Sequence, residues 1–383
     1  MAQTLPDVRQ NGCRKPAARA VDRPSWSQAF LRPEAVWPLG RGSGVTVAVI
    51  GSGVEAAAGA GSGPLAGRLV LGPRLHGEGD AGRDCVGHGT VLATLVAGRR
   101  PADGGPSGVA PAAKVLAVAA TDDAGSTNAD LLSRGIRAAA DGGARVAVVA
   151  APIAEAAPAL AEAVAYATAK GTLLVAPAGP DGQSVAGPVY PAGFPGVFAV
   201  AAIGADGAPA GASAQGSSSG SAAAPEAVVA PGRVSRVDVA APGEALLAAG
   251  PGGGTFTASG PSYAAALVAG TAALVLGRSP SLSVEQLADR LRATAYRPGT
   301  ALPDPAVGWG AVDTVTAVVA GTPSAVAAPA AADPVVVPPP PDRSAVHLAS
   351  AITGASLGGV ALIGLAAAAV RIRRRRDGGG APV

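Results

Sequence analysis

Apolar residues in this chain fall into short unbroken runs of strand length, separated by stretches where they recur at helical spacing. The first run, residues 45–50 (Val-Thr-Val-Ala-Val-Ile), is bounded by Gly42-Ser-Gly44 and Gly51-Ser-Gly53. An apolar run of that length between glycines predicts a strand buried on both faces. Further runs at 114–118, 144–149, 172–176 and 197–202 predict more strands, with helices over 128–141 and 154–170 between them, and residues 237–243 bring the chain back to the core. Strand and helix in alternation predict an α/β fold with a mostly parallel sheet and helices on both faces. In such folds ligand chemistry sits at the carboxyl ends of the strands. Ser283-Val-Glu-Gln286 carries a capping-box pattern, and the helix it opens, to about residue 295, precedes Gly308-Trp-Gly310 at the end of the globular part. The Gly/Ser/Ala-rich stretch 203–236 reads as an irregular surface loop.

The same pattern divides the chain. Residues 1–41 are polar, proline-rich and arginine-containing and read as an N-terminal arm; 42–320 form the globular domain; 321–344 are Ala/Pro/Val-rich and read as an extended linker. Residues 345–370 hold no Asp, Glu, Lys or Arg and would span about 39 Å as a helix, ample for a bilayer core. Gly354, Gly358, Gly359 and Gly364 would let a second membrane helix approach closely. The tail, 371–383, carries Arg371, Arg373, Arg374, Arg375 and Arg376, which belong on the cytoplasmic side and place the large domain outside the plasma membrane. No apolar run near Met1 would serve as an export signal, so the expectation is a start upstream of Met1 with a signal sequence. A stop codon immediately upstream would overturn it.

Composition narrows the function classes. The chain is 49% hydrophobic but only 3% aromatic, with 55 Gly and 35 Pro, so its core is expected from Ala, Val and Leu with many turns. The formal charge of +3 is concentrated in the C-terminal arginines, leaving the body nearly neutral. Nucleic-acid binding, which needs basic residues spread along one face, is set aside. The two cysteines, Cys13 and Cys85, are too few for a four-ligand metal site. They are compatible with one disulfide, or with two unrelated thiols if the domain stays in a reducing compartment.

Candidate chemistry begins at Ser262, which a Gly-Pro turn places at the start of an apolar helix. Unpaired backbone N–H groups and the positive end of the helix dipole favour developing negative charge there. The residue reads either as a nucleophile or as a simple helix cap. Among the three histidines, His76, His88 and His347, the glycine-flanked His88 before an Ala/Val/Leu helix is the candidate base. Gly51-Ser-Gly53-Val-Glu-Ala56 also fits a dinucleotide-binding pattern, but a glycine-rich stretch follows instead of a clean helix. No cofactor is expected.

Gly87-His88-Gly-Thr90, Gly108-Val-Ala-Pro111, Tyr190-Pro-Ala192, Ala241-Pro-Gly243 and Ser259-Gly-Pro-Ser262-Tyr-Ala-Ala265 stand in one order. Together they resemble the subtilisin-like serine proteases over about residues 45–315. The arm with Cys13, the cysteine before His88, the linker and the apolar C-terminal segment narrow the resemblance to mycosins, membrane-anchored subtilases associated with actinobacterial type VII secretion. The resemblance implies an Asp-His-Ser triad with Ser262 as nucleophile and His88 as general base, plus an oxyanion hole from a side-chain amide. It also implies secretion-system membrane components as partners and a polypeptide substrate. Two parts depart from the pattern: Gly51 stands where the aspartate belongs, and Pro180 where the oxyanion asparagine belongs. Pro261, Ala266 and the segment 148–152 depart as well. Losing the orienting carboxylate costs about 10⁴ in turnover, and one oxyanion donor about 10² to 10³. Glu55 and Asp84 are the neighbours available to substitute. Two readings follow: a catalytically impaired pseudoprotease that binds partners or serves structurally, and an active endopeptidase that processes secreted proteins.

Overall fold

The computed structural model describes residues 3–4, 13, 22–102, 104–182, 187–210, 236–299 and 301–321. In chain order its elements begin with β1 (Gln3–Thr4), α1 (Trp26–Leu31), β2 (Thr46–Gly51), β3 (Leu69–Arg74), α2 (His88–Ala97), β4 (Lys114–Ala119) and α3 (Ala129–Asp141). They continue with β5 (Val146–Val149), α4 (Pro158–Ala169), β6 (Leu173–Pro177), β7 (Val197–Ile203), β8 (Val239–Pro242), β9 (Leu246–Ala249) and β10 (Thr255–Ala258). Three helices close the series: α5 (Pro261–Arg278), α6 (Val284–Ala293) and α7 (Thr314–Val319).

Seven strands pair side by side in the order β3-β4-β2-β5-β6-β7-β8, and every pairing is parallel. The apolar runs are unbroken because both faces of the sheet are covered. Val47 and Val49 of β2 enter one core with α2 and α5, whereas Ala48 and Ile50 enter a second core with α3 and α4. Helix α5 is apolar almost all round and buried from Ser262 to Leu276, as expected of a helix surrounded by protein. Its alanines let the sheet and α2 approach closely, so an aromatic-poor chain still packs a dense core.

Predicted strands and helices recur within a few residues of their expected bounds. Helix α4 starts only at Pro158, whose fixed φ suits the first turn. In α6 the capping box forms, with the Ser283 hydroxyl accepting from the Gln286 N–H (3.1 Å) and the Gln286 carbonyl accepting from the Ser283 N–H (3.0 Å).

The sequence gives no hint of β3, a half-exposed edge strand interrupted by Gly72-Pro73, as edge strands tolerate. It also hides a small second sheet, in which β10 pairs antiparallel with β9 and parallel with β1. Within the stretch read as an arm, α1 packs on the domain. The Trp26 indole N–H donates to the Glu244 carbonyl (2.8 Å), that of Trp37 donates to the Val109 carbonyl (3.0 Å), and Leu31 and Val36 are buried. Cys13 and Cys85 are joined by a disulfide.

Residues 322–344 of the linker, the apolar segment 345–370, the tail and residues 211–235 of the loop 203–236 lie outside the described residues. Among the described residues no helix is long and apolar enough to cross a membrane.

Candidate active site

Three segments meet at the carboxyl edge of the parallel sheet: the turn after β2, the first residues of α2 and the loop after β6. The amino end of α5 comes up against them. His88 is the first residue of α2, and its position is fixed by groups around it. Asp84 Oδ1 accepts from the Gly87 N–H (2.8 Å), and Asp84 Oδ2 accepts from the Thr90 N–H (2.8 Å) and hydroxyl (2.6 Å). The Ser52 hydroxyl accepts from the Gly89 N–H (2.9 Å), tying the helix to the turn after β2. The approach is so close that a Cβ on Gly89 would lie 2.0 Å from the Gly53 carbonyl oxygen.

These contacts settle what the two neighbouring carboxylates do. Asp84 is spent as the α2 cap, and Glu55 Oε2 accepts from the Gly252 N–H (2.6 Å). Neither has a hydrogen bond to His88, so neither of these neighbours stands in for the missing aspartate. Gly51 closes β2 with no side chain, and a Cβ there would lie 3.0 Å from the Cβ of Ala150.

Ser262 and His88 do come together, with Oγ 2.9 Å from Nε2. The ring of Tyr263 stands edge-on to the imidazole, centroids 5.0 Å apart. A carboxylate that sequence reasoning passed over joins them. Asp181, one residue beyond Pro180, places Oδ2 3.0 Å from His88 Nε2, and Oδ1 accepts from the Ser262 N–H (3.0 Å). The Ser262 hydroxyl also donates to Asp181 Oδ2. The approach depends on Gly260, where a Cβ would lie 2.0 Å from Asp181 Oδ1. The only hint in the sequence was an acidic residue in the loop after a strand's carboxyl end.

The arrangement differs from a working triad in one respect. Base catalysis needs Nε2 of the histidine free to accept the serine proton, with the carboxylate on Nδ1 holding the other tautomer. Here carboxylate and hydroxyl share Nε2. A carboxylate beside Nε2 favours the tautomer protonated on that nitrogen, which has no lone pair there for the Ser262 proton. Ser262 itself has no exposed surface (0%), while the His88 and Asp181 side chains keep 12% and 17%. A cleft of about 300 Å³ opens beside them, lined by Gly51, Ser52, Thr121, Ser126, Ile153 and Pro180 among others.

The dinucleotide pattern finds no support in the geometry. After Gly53 comes only a four-residue 3-10 turn, Ala56–Gly59, with no α-helix to receive a pyrophosphate. Among the described residues no three His, Cys, Asp or Glu side chains gather as a metal set.

Residues 42–310 match the Peptidase_S8 subtilase family, and the chain belongs to that family. Within it, the likeness is to the mycosins. The chain is 34% identical to Mycosin-4 of Mycobacterium tuberculosis (strain ATCC 25618 / H37Rv), an alignment covering 98% of this chain and 89% of that protein. The crystal structure of MycP1 from Mycobacterium smegmatis superposes with a TM-score of 0.67 at 28% identity, covering 82% of this chain and 90% of that one. A chain in the structure of an intact ESX-5 inner membrane complex superposes with a TM-score of 0.64 at 26% identity, covering 96% and 93%.

Proposed function

We propose that this chain is a mycosin-type subtilase homologue of the type VII secretion machinery, catalytically impaired, whose peptidase-like domain works as a structural or partner-binding part of the membrane assembly. One observation carries the impairment: the carboxylate that meets His88 is Asp181, on the nitrogen facing Ser262, while Gly51 offers none. A misdirected histidine costs about 10⁴ in turnover, and the missing amide at Pro180 about 10² to 10³. The two losses do not add, yet the larger is crippling alone.

The assembly reading rests on the ESX-5 inner membrane complex, which contains a chain of this fold, and on the sequence outside the described residues. In this reading domain 42–320 stands outside the plasma membrane, held by the linker 321–344 and a membrane helix over 345–370, with the tail 371–383 in the cytoplasm. Its partners are the lipid bilayer and secretion-system membrane proteins.

The test is made on the full-length chain in detergent, against a peptide library, beside a Ser262→Ala variant. The expected result is equal, background cleavage by both. Ser262-dependent turnover by the parent overturns the impairment. Secretion restored equally by parent and Ser262→Ala in a deletion strain supports the assembly role, and failure of both to restore it overturns that role.

The second reading, an active endopeptidase processing secreted proteins, is favoured by the 2.9 Å approach of Ser262 Oγ to His88 Nε2. Ser262-dependent turnover in the same assay would establish it.

A further inference from the structure

We infer that Asp181 is a built-in anion that blocks the site: its carboxylate occupies the place, at the amino end of α5, where the oxyanion of a reacting carbonyl would bind. The inference deepens the impaired-peptidase reading and rests on it.

A serine acyl-transfer site stabilises the oxyanion with donors beside the nucleophile, among them the nucleophile's own backbone N–H. In this chain the Ser262 N–H is already taken, donating to Asp181 Oδ1 at 3.0 Å. The Ser262 hydroxyl donates to Oδ2 of the same carboxylate, and His88 Nε2 lies 3.0 Å from that oxygen. One carboxylate therefore holds each group that would act on a substrate carbonyl. The amino end of the 18-residue helix α5 favours negative charge there, and Asp181 supplies it from within the chain.

Two features show a fitted contact instead of a chance approach. Gly260 leaves room that even a methyl group would fill, since its Cβ would lie 2.0 Å from Asp181 Oδ1. Ser262 has no exposed surface, whereas Asp181 keeps 17% of its side chain exposed, so an incoming carbonyl meets the carboxylate before the serine. A fixed negative charge repels a developing oxyanion and cannot donate to it. The missing amide at Pro180 is therefore only half of the loss, because the next residue supplies an opposing group.

This has a consequence distinct from simple decay. Asp181→Asn keeps the shape but exchanges an acceptor oxygen for an N–H donor within reach of the same point. Asp181→Ala removes the charge and supplies no donor. Asn should therefore exceed Ala, and both should exceed the parent, an order that a merely structural role would not produce.

The experiment measures labelling of Ser262 by a fluorophosphonate probe on the full-length chain in detergent. The Ser262 oxygen bonds to phosphorus, the phosphorus–fluorine bond breaks, fluoride leaves, and the hydroxyl proton passes to His88 or solvent. Labelling at least about tenfold faster in Asp181→Ala, and faster again in Asp181→Asn, is expected, since one donor is worth about 10² to 10³. Ser262→Ala in each background should abolish it. A peptide boronic acid, which forms an anionic tetrahedral adduct on serine, should raise the melting temperature of both variants and leave the parent unchanged.

Parent and variants labelled at one rate, with cooperative melting retained, overturn the inference. If one variant does not fold, the other decides. If the parent itself cleaves peptides through Ser262, the impaired-peptidase reading fails. If the parent is inert and the variants gain nothing, the block alone fails and the impairment stands.

Discussion

Oδ2 of Asp181 lies 3.0 Å from Nε2 of His88, the same ring nitrogen that lies 2.9 Å from Oγ of Ser262. One nitrogen thus faces both acid and nucleophile, while the end of β2, where the resemblance to subtilisin-like proteases would place an aspartate, carries only Gly51.

Restoring a carboxylate at that end should therefore restore chemistry, provided that Asp181 is neutralised. The Gly51→Asp, Asp181→Asn double variant is expected to raise Ser262-dependent peptide cleavage by about 10² to 10⁴ over the parent, the range spanned by one oxyanion donor and one orienting carboxylate. Gly51→Asp alone should gain far less. The Ala150 Cβ, 3.0 Å from the new Cβ, must shift by a few tenths of an ångström. Steady-state rates on a fluorogenic peptide decide the matter, and no gain in the double variant would mean that Ser262 and His88 no longer form a usable pair.

Gly89→Ala should separate His88 from its support. The added methyl would meet the Gly53 carbonyl oxygen at 2.0 Å, with backbone on both sides and no flexible side chain to move away. A loss of about 3 kcal/mol in denaturant unfolding is expected, at the upper end for overpacking. A loss below about 0.5 kcal/mol would show that the turn after β2 yields easily.

Cys13→Ser should destabilise the domain. The bridge joins residues 72 apart in sequence, and closing such a loop is worth about 4 kcal/mol in the chain-entropy account. Unfolding midpoints with and without reductant test this: reductant should lower the midpoint of the parent and leave that of the variant unchanged.

Arg290→Met should stabilise it. Arg290 is buried (3% exposed); among the described residues its Nε and one Nη have no hydrogen-bond partner, and Nη1 donates to the Ser279 hydroxyl at 3.4 Å. Burial lowers its pKa, the sign expected when the charged form is disfavoured. Exchanging an uncompensated buried charge for an apolar chain of similar length is expected to add about 1 to 2 kcal/mol, read from chemical unfolding. A destabilised variant would point to a partner for the guanidinium.

The frame was legible in the sequence for a specific reason. Strands β2, β4, β5, β6 and β7 are covered on both faces, so their apolar runs are unbroken, and Ser283 with Gln286 announces α6 through contacts three residues apart. Features made by distant contacts left no such trace. The indole of Trp26 finds its acceptor at Glu244, 218 residues on, so the segment carrying α1 reads as a loose arm. Ser262 and His88 were legible because each sits in a recognisable local pattern. Asp181 was not: its role comes from the loop after β6 folding over Gly260, and motif register points to Pro180, the residue before it.

The support beneath His88 is built from the carboxylate of Asp84, the hydroxyl of Ser52, the backbone of Gly89 and, through Cys85, a covalent tie to Cys13. None of these groups takes part in moving a proton. The imidazole is held by parts that would serve a cutting and a non-cutting protein equally well. The fold that carries the imidazole is therefore assembled without a carboxylate at position 51, and the outline of a protease persists whichever residue stands there.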